Sequence, residues 1–120
     1  MARIMVIDDA APIRLLLATA LESAGHEVVQ ASSGREGLTL YRQRSSDLVI
    51  MDMLMPELNG LETMQEFTRE FQNVKVIAVS GAGAEHAMLK TARLLGVRQT
   101  LNKPFDLEDL FSAVRYELAH

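Results

Sequence analysis

Asp8 and Asp9 follow the apolar run "IMVI", Asp52 closes "DLVIM", Ser80 closes "VIAV", and Lys103 stands in "TLNKP". Taken singly, each has an ordinary explanation: Asp and Ser are common turn residues, and Lys before Pro is a usual surface bend. Taken together they are three carboxylates, a hydroxyl and an ammonium, each just past a stretch that reads as a strand. Carboxylates brought into one place repel one another unless cations compensate. Hard divalent ions favour such oxygen-rich sites, and Mg²⁺ typically takes one or two carboxylates and keeps several waters. A carboxylate held beside such an ion can attack phosphorus and form an acyl phosphate. Lys103 and Ser80 are then suited to hold the phosphoryl oxygens. Asp52 is the candidate nucleophile because it is single and central, and the adjacent Asp8 and Asp9 suit a metal cradle.

The elements that must position these groups are legible in the apolar pattern. Ile4 to Ile7, Leu48 to Met51 and Val76 to Val79 are apolar without alternation, which suits strands covered on both faces. His26 to Ala31 and Val97 to Leu101 interleave polar residues and are expected at the sheet edges. Between the runs lie helical spacings. Ile13, Leu16, Leu17, Ala20, Leu21 and Ala24 mark one helix face, with Pro12 suited to the first turn and Gly25 to the stop. Leu107, Leu110, Phe111, Val114 and Leu118 repeat that spacing, and further helices are expected over roughly 60 to 71 and 84 to 95. Ser33 with Glu36 reads as a capping box, and Asn59 with Glu62 and Asp106 with Asp109 share its interval. Gly37 inside the second helix costs about 1 kcal/mol relative to Ala and is expected where packing is close.

Strand and helix thus alternate five times, which predicts an α/β fold with a doubly wound parallel sheet. Two edge strands, second and fifth in sequence, fit the order 2-1-3-4-5. That order puts the first and third strands side by side at the point where such sheets bind ligands. Asp8 and Asp9 then lie beside Asp52.

Composition bounds the alternatives. A chain of 120 residues with 48% hydrophobic and 23% charged residues is expected to form one domain over 1 to 120. No apolar run approaches the ~20 residues of a membrane helix, and no secretory signal is evident, so a cytoplasmic protein without membrane insertion is expected. A net charge of −4 argues against direct nucleic-acid binding. Lys90, Arg93, Arg98 and Lys103 form a loose basic group read as a solvated face. His26, His86 and His120 lack ligand spacing, "GAG" at 81 to 83 lacks a dinucleotide fingerprint, and Met51, Met53 and Met55 read as adaptable packing.

From "VIDD" through "DLVIMDMLMPELNG" and "VIAVSG" to "LNKPF", the whole chain resembles the receiver domain of bacterial two-component response regulators. The resemblance implies a flavodoxin-like fold and a phosphorelay function, with Asp52 accepting a phosphoryl group from a histidine kinase or phosphotransferase. It implies that Asp9 and Asp52 bind Mg²⁺ directly, Asp8 mainly through water, and the backbone carbonyl of Leu54 completes the protein ligands. Ser80 matches the switching hydroxyl, Lys103 its lysine partner, Pro104 a position that commonly follows a cis peptide, and Gly60 the turn after "MP". Ala10, Pro12, Ile13 and Arg14 match the surface where such domains dock their kinase. Helix 84 to 95, the fifth strand and the last helix match the face that meets a downstream protein or output domain. Such a domain is not an enzyme toward other substrates; it turns over only its own aspartyl phosphate.

Three positions depart from the pattern. Thr100 stands where many receivers carry an aromatic residue, so the swing of a ring is unavailable. Gly81 stands where Ala is usual, and Leu54 and Ala82 offer no polar side chain to orient a hydrolytic water, so a long-lived phosphorylated state is expected. The rival readings are a receiver excised from a longer DNA-binding regulator or hybrid kinase, and a small Mg²⁺-dependent phosphatase of the haloacid dehalogenase type. The phosphatase needs a second Asp two residues after its nucleophile, and that position is Leu54.

Overall fold

The computed structural model describes residues 1–53, 60–80 and 86–120, with side chains described there except at 60, 61 and 86–89. Five strands, β1 (Arg3–Ile7), β2 (Glu27–Ala31), β3 (Leu48–Asp52), β4 (Val76–Ser80) and β5 (Gln99–Asn102), alternate with five helices. The helices are α1 (Ala11–Ser23), α2 (Gly34–Gln43), α3 (Gly60–Glu70), α4 (His86–Leu94) and α5 (Leu107–Ala119). All strand pairs are parallel and the order is β2-β1-β3-β4-β5, as the apolar pattern predicts.

The unalternating strands divide their side chains between two cores. Met5, Ile7, Val49, Met51, Val76 and Ala78 join Leu38 and Tyr41 of α2, Met64 and Phe67 of α3 and Ala92 of α4. Ile4, Val6, Leu48, Ile50, Ile77 and Val79 join Leu17 and Leu21 of α1 and Leu110, Ala113 and Val114 of α5. Each strand therefore buries both of its faces, which is why period-2 alternation is missing from its sequence.

Both edge strands start later than their sequence suggests, and for one reason. Gly25 (φ +95) and Gly96 (φ +106) end α1 and α4 in the left-handed region, which a side chain disfavours. The following residues, His26 and Val97, donate backwards to the carbonyls of Leu21 and Ala92, while the glycine N–H groups bond Glu22 and Arg93. This is a Schellman closure. It binds His26 and Val97 to the preceding helix, so β2 begins at Glu27 and β5 at Gln99.

The caps mostly follow the sequence. Ser33 Oγ accepts from the Glu36 N–H, and Asp106 Oδ1 accepts from the Asp109 N–H. The Glu36 carboxylate returns to the Ser32 N–H, one residue earlier than a standard capping box. Asn59 lies outside the described residues. On α1 the buried stripe is Leu17, Ala18, Ala20 and Leu21, and Ile13 packs half-buried beside it. Leu16, expected on that face, is 59% exposed beside Leu15 at 53%. Apolar residues surround this helix, so spacing alone does not choose which side meets the sheet. Leu107 is likewise exposed rather than core-facing. At the surface, Arg42 of α2 grips both oxygens of Glu70 on α3 and holds that carboxyl below its ordinary pKa. Such an exposed pair adds little stability.

Two helical glycines mark close approaches. A Cβ on Gly37 would meet Ile7 Cδ1 at 2.5 Å, the tight packing expected there. A Cβ on Gly34 would lie 2.0 Å from Thr63 Oγ1, where α2 crosses α3, a contact the sequence does not announce. Gly34→Ala is therefore expected to destabilise the fold by about 1–3 kcal/mol despite the better helix propensity of Ala. Thermal melts of Gly34→Ala, Thr63→Ala and the double variant test this: the Gly34 cost should shrink once Thr63 is truncated, and equal costs in both backgrounds would contradict the contact.

Candidate functional site: an acidic pocket at the carboxyl ends of the strands

Strand register brings the polar groups into one row. Ile7 pairs with Met51, which sets Asp8 beside Asp52; Asp52 pairs with Val79, and Ser80 pairs with Asn102, the residue before Lys103. The Lys103 N–H continues the ladder to the Ser80 carbonyl at 2.6 Å. The two buried cores thus fix strand ends whose side chains are polar.

Asp8 is 2% exposed and Asp52 6%, while Asp9 is open to solvent. Asp8 is held from several sides. Its N–H donates to the Ala31 carbonyl, its Oδ1 accepts from the Ala10 N–H at 2.8 Å, and its own carbonyl accepts from Arg14 Nη1 at 2.7 Å. Lys103 Nζ stands 3.4 Å from Asp52 Oδ2 and 3.7 Å from Asp8 Oδ2. The Lys103–Pro104 peptide is cis, as the resemblance implied. Ser80 is fully buried at the end of β4.

Asp8, Asp9 and Asp52 each offer a carboxylate oxygen, and these atoms lie within 4.8 Å of one another. Among the described residues, Lys103 Nζ pairs with Asp52 and Asp8 at the edge of this cluster of three carboxylates. The donors are all oxygen, two are buried and one is exposed, which fits a hard divalent cation that keeps part of its water shell. The Leu54 carbonyl, Gly81, Ala82 and Met55 lie outside the described residues. Met51 and Met53 are wholly buried in the core, in line with their reading as packing. Arg14, read from sequence only as part of a docking surface, proves to be bonded to the acidic loop. No spacing rule marks a side chain that bonds a main-chain carbonyl six residues back, so the sequence held no signal for this contact.

Fold and site together define a class: a doubly wound parallel α/β domain with a cation-compatible acidic pocket where the strand order reverses. The family model of the response regulator receiver domain matches residues 4–115, and the chain belongs to that family. It is a receiver domain of two-component response regulators. Chemotaxis protein CheY of Thermotoga maritima is 36% identical over 104 residues, covering 86% of each chain. A probable transcriptional regulator, ycf27 of Porphyra purpurea, is 35% identical over 113 residues, covering 94% of this chain but 46% of its own. The crystal structure of a response regulator receiver domain protein from Clostridium thermocellum superposes with a TM-score of 0.93 at 34% identity, covering 99% of this chain and 95% of that one. Among the described residues no helix is long and apolar enough to cross a membrane.

Crowded carboxylates make a stability prediction. Asp9→Asn removes one like charge and should leave the metal-free protein as stable or more stable. It should also lose most of the stabilisation expected from Mg²⁺ in the wild type, about 2.7 kcal/mol when the ion is at a hundred times its Kd. Melts with EDTA and with Mg²⁺ check both; an unchanged Mg²⁺ response in Asp9→Asn would contradict the site.

Proposed function

We propose that Asp52 is the phosphoacceptor and that Asp8, Asp9, Asp52 and the Leu54 carbonyl hold Mg²⁺ for the transfer. The observation that carries this reading is the convergence of the three carboxylates with Lys103 at the end of β3. Mg²⁺, when bound, supplies positive charge against which an anionic phosphoryl group can approach a carboxylate.

Asp52 attacks phosphorus with a carboxylate oxygen. An O–P bond forms, the P–N bond to the donor histidine breaks, and the imidazole nitrogen keeps the electron pair. Lys103, now paired with Asp52 and Asp8, is within a short reorientation of the new phosphoryl oxygens and would exchange carboxylate for phosphate. The Ser80 hydroxyl would donate to a second oxygen. Because Ser80 ends β4 and Lys103 follows β5, those contacts would draw two strands toward one anion, biasing a two-state equilibrium as a ligand does. Thr100 on β5 accepts a hydrogen bond from Arg93 of α4 at 2.7 Å, in the position where many receivers carry a ring.

The donor is a histidine kinase or histidine phosphotransferase in the cytoplasm. Exposed Pro12, Leu15 and Leu16 give α1, the helix that follows the Asp8–Asp9 pair, an apolar surface that suits a helical partner. The output partner, a separate protein or an attached domain, would meet the side formed by α4, β5 and α5, where Lys90, Arg93 and Arg98 are exposed. Turnover is limited to the protein's own Asp52.

Incubation with acetyl phosphate and Mg²⁺, followed by intact mass, tests this. The wild type should gain one phosphoryl group and Asp52→Asn none; no gain on the wild type, or equal gain on both, would overturn the assignment. After removal of the donor, the modification should outlast seconds in Mg²⁺ buffer, and decay within seconds would count against the expectation drawn from Leu54 and Ala82.

A further inference from the structure

Neighbouring residues on a strand send their side chains to opposite faces of the sheet. Asp8 and Asp9 are neighbours, yet both bring a carboxylate oxygen within 4.8 Å of Asp52 and of each other. Convergence requires the extended backbone to break at this pair. The Asp8 N–H is still on the ladder to Ala31, whereas Ala10 is already the N-cap of α1. The chain bends at Asp9, and the peptide that leads into the bend carries the Asp8 carbonyl.

That oxygen receives Arg14 Nη1 at 2.7 Å. Arg14 is half-buried in the first turns of α1, and its own N–H closes the helix onto the Ala10 carbonyl. The Asp8 side chain fixes the other side of the same turn by accepting from the Ala10 N–H. We propose that Arg14 is a positioning residue: its guanidinium sets the plane of the Asp8–Asp9 peptide and thereby aims the exposed Asp9 carboxylate into the pocket for a divalent cation. This rests on the cation reading given above.

Two other roles for Arg14 make different forecasts. As a bare positive charge near the pocket it would repel a cation, so its removal would tighten Mg²⁺ binding. As a docking contact alone it would leave Mg²⁺ binding unchanged. Positioning makes the opposite forecast, because groups that orient metal ligands typically cost 10–100-fold in affinity when lost.

The experiment is calorimetric titration of Mg²⁺ into wild type, Arg14→Met and Arg14→Lys, with folding checked by circular dichroism. Arg14→Met keeps the aliphatic stem and should bind Mg²⁺ about tenfold more weakly. With acetyl phosphate as donor, its phosphorylation rate should return close to wild type at saturating Mg²⁺, since only the aim of a ligand is lost. Unchanged or tighter Mg²⁺ binding in Arg14→Met would overturn the proposal. Should that variant fail to fold, Arg14→Lys, which keeps the charge but not the planar fork, must show a several-fold weakening, and wild-type affinity there would overturn it. A wild type that binds no Mg²⁺ would overturn the cation reading itself and this inference with it.

Discussion

The structure depends on holding like charges together at the rim of a hydrophobic sheet. Two unit charges at the outer limit of 4.8 Å repel by roughly 3–4 kcal/mol at an effective dielectric of about 20, and less where solvent screens the exposed Asp9. The opposing force comes from burial: the strands leading to Asp8, Asp52 and Ser80 are apolar on both faces and packed between two helical layers. A strand cannot slip to relieve its terminal charge without moving every side chain to the wrong face. The sheet thus supplies the rigidity, Lys103 supplies positive charge, and a divalent cation would add more under the proposed function.

This constraint would let the pocket act as a switch under the proposed function. Groups that sit in a compensated, relaxed environment have little to gain from a new ligand. Here Lys103 divides its charge between Asp52 and Asp8, at distances longer than an ideal charged hydrogen bond. A phosphoryl group on Asp52 would change the charge balance at the point where β3, β4 and β5 end together. The strands are too well packed to deform continuously, so a response would appear as a small discrete rearrangement of their ends and of the helices attached to them.

Much of this was legible in the sequence because the relevant signals are periodic or punctual. Unbroken apolar runs gave the parallel sheet, the two runs interleaved with polar residues gave its edges, and the polar residues just past the strands located the rim. What escaped was orientation and fit. Leu16 and Leu107 belong to helices with apolar residues beyond the buried stripe, so which side turns inward depends on the neighbouring sheet. His26 and Val97 look like strand starts but are claimed by the helix ends behind them. The Gly34–Thr63 approach joins two separate helices and the Arg14 bond joins a helix to the loop before it, and no local pattern encodes either.

The chemistry of the pocket turns on where a divalent cation sits. Amide NMR spectra recorded with trace Mn²⁺, which shares the oxygen preference of Mg²⁺, locate it directly through paramagnetic broadening. The signals of residues 8, 9, 52 and 103 should vanish first and return when Mg²⁺ is added in excess. Broadening centred elsewhere, or none near these residues, would contradict the account.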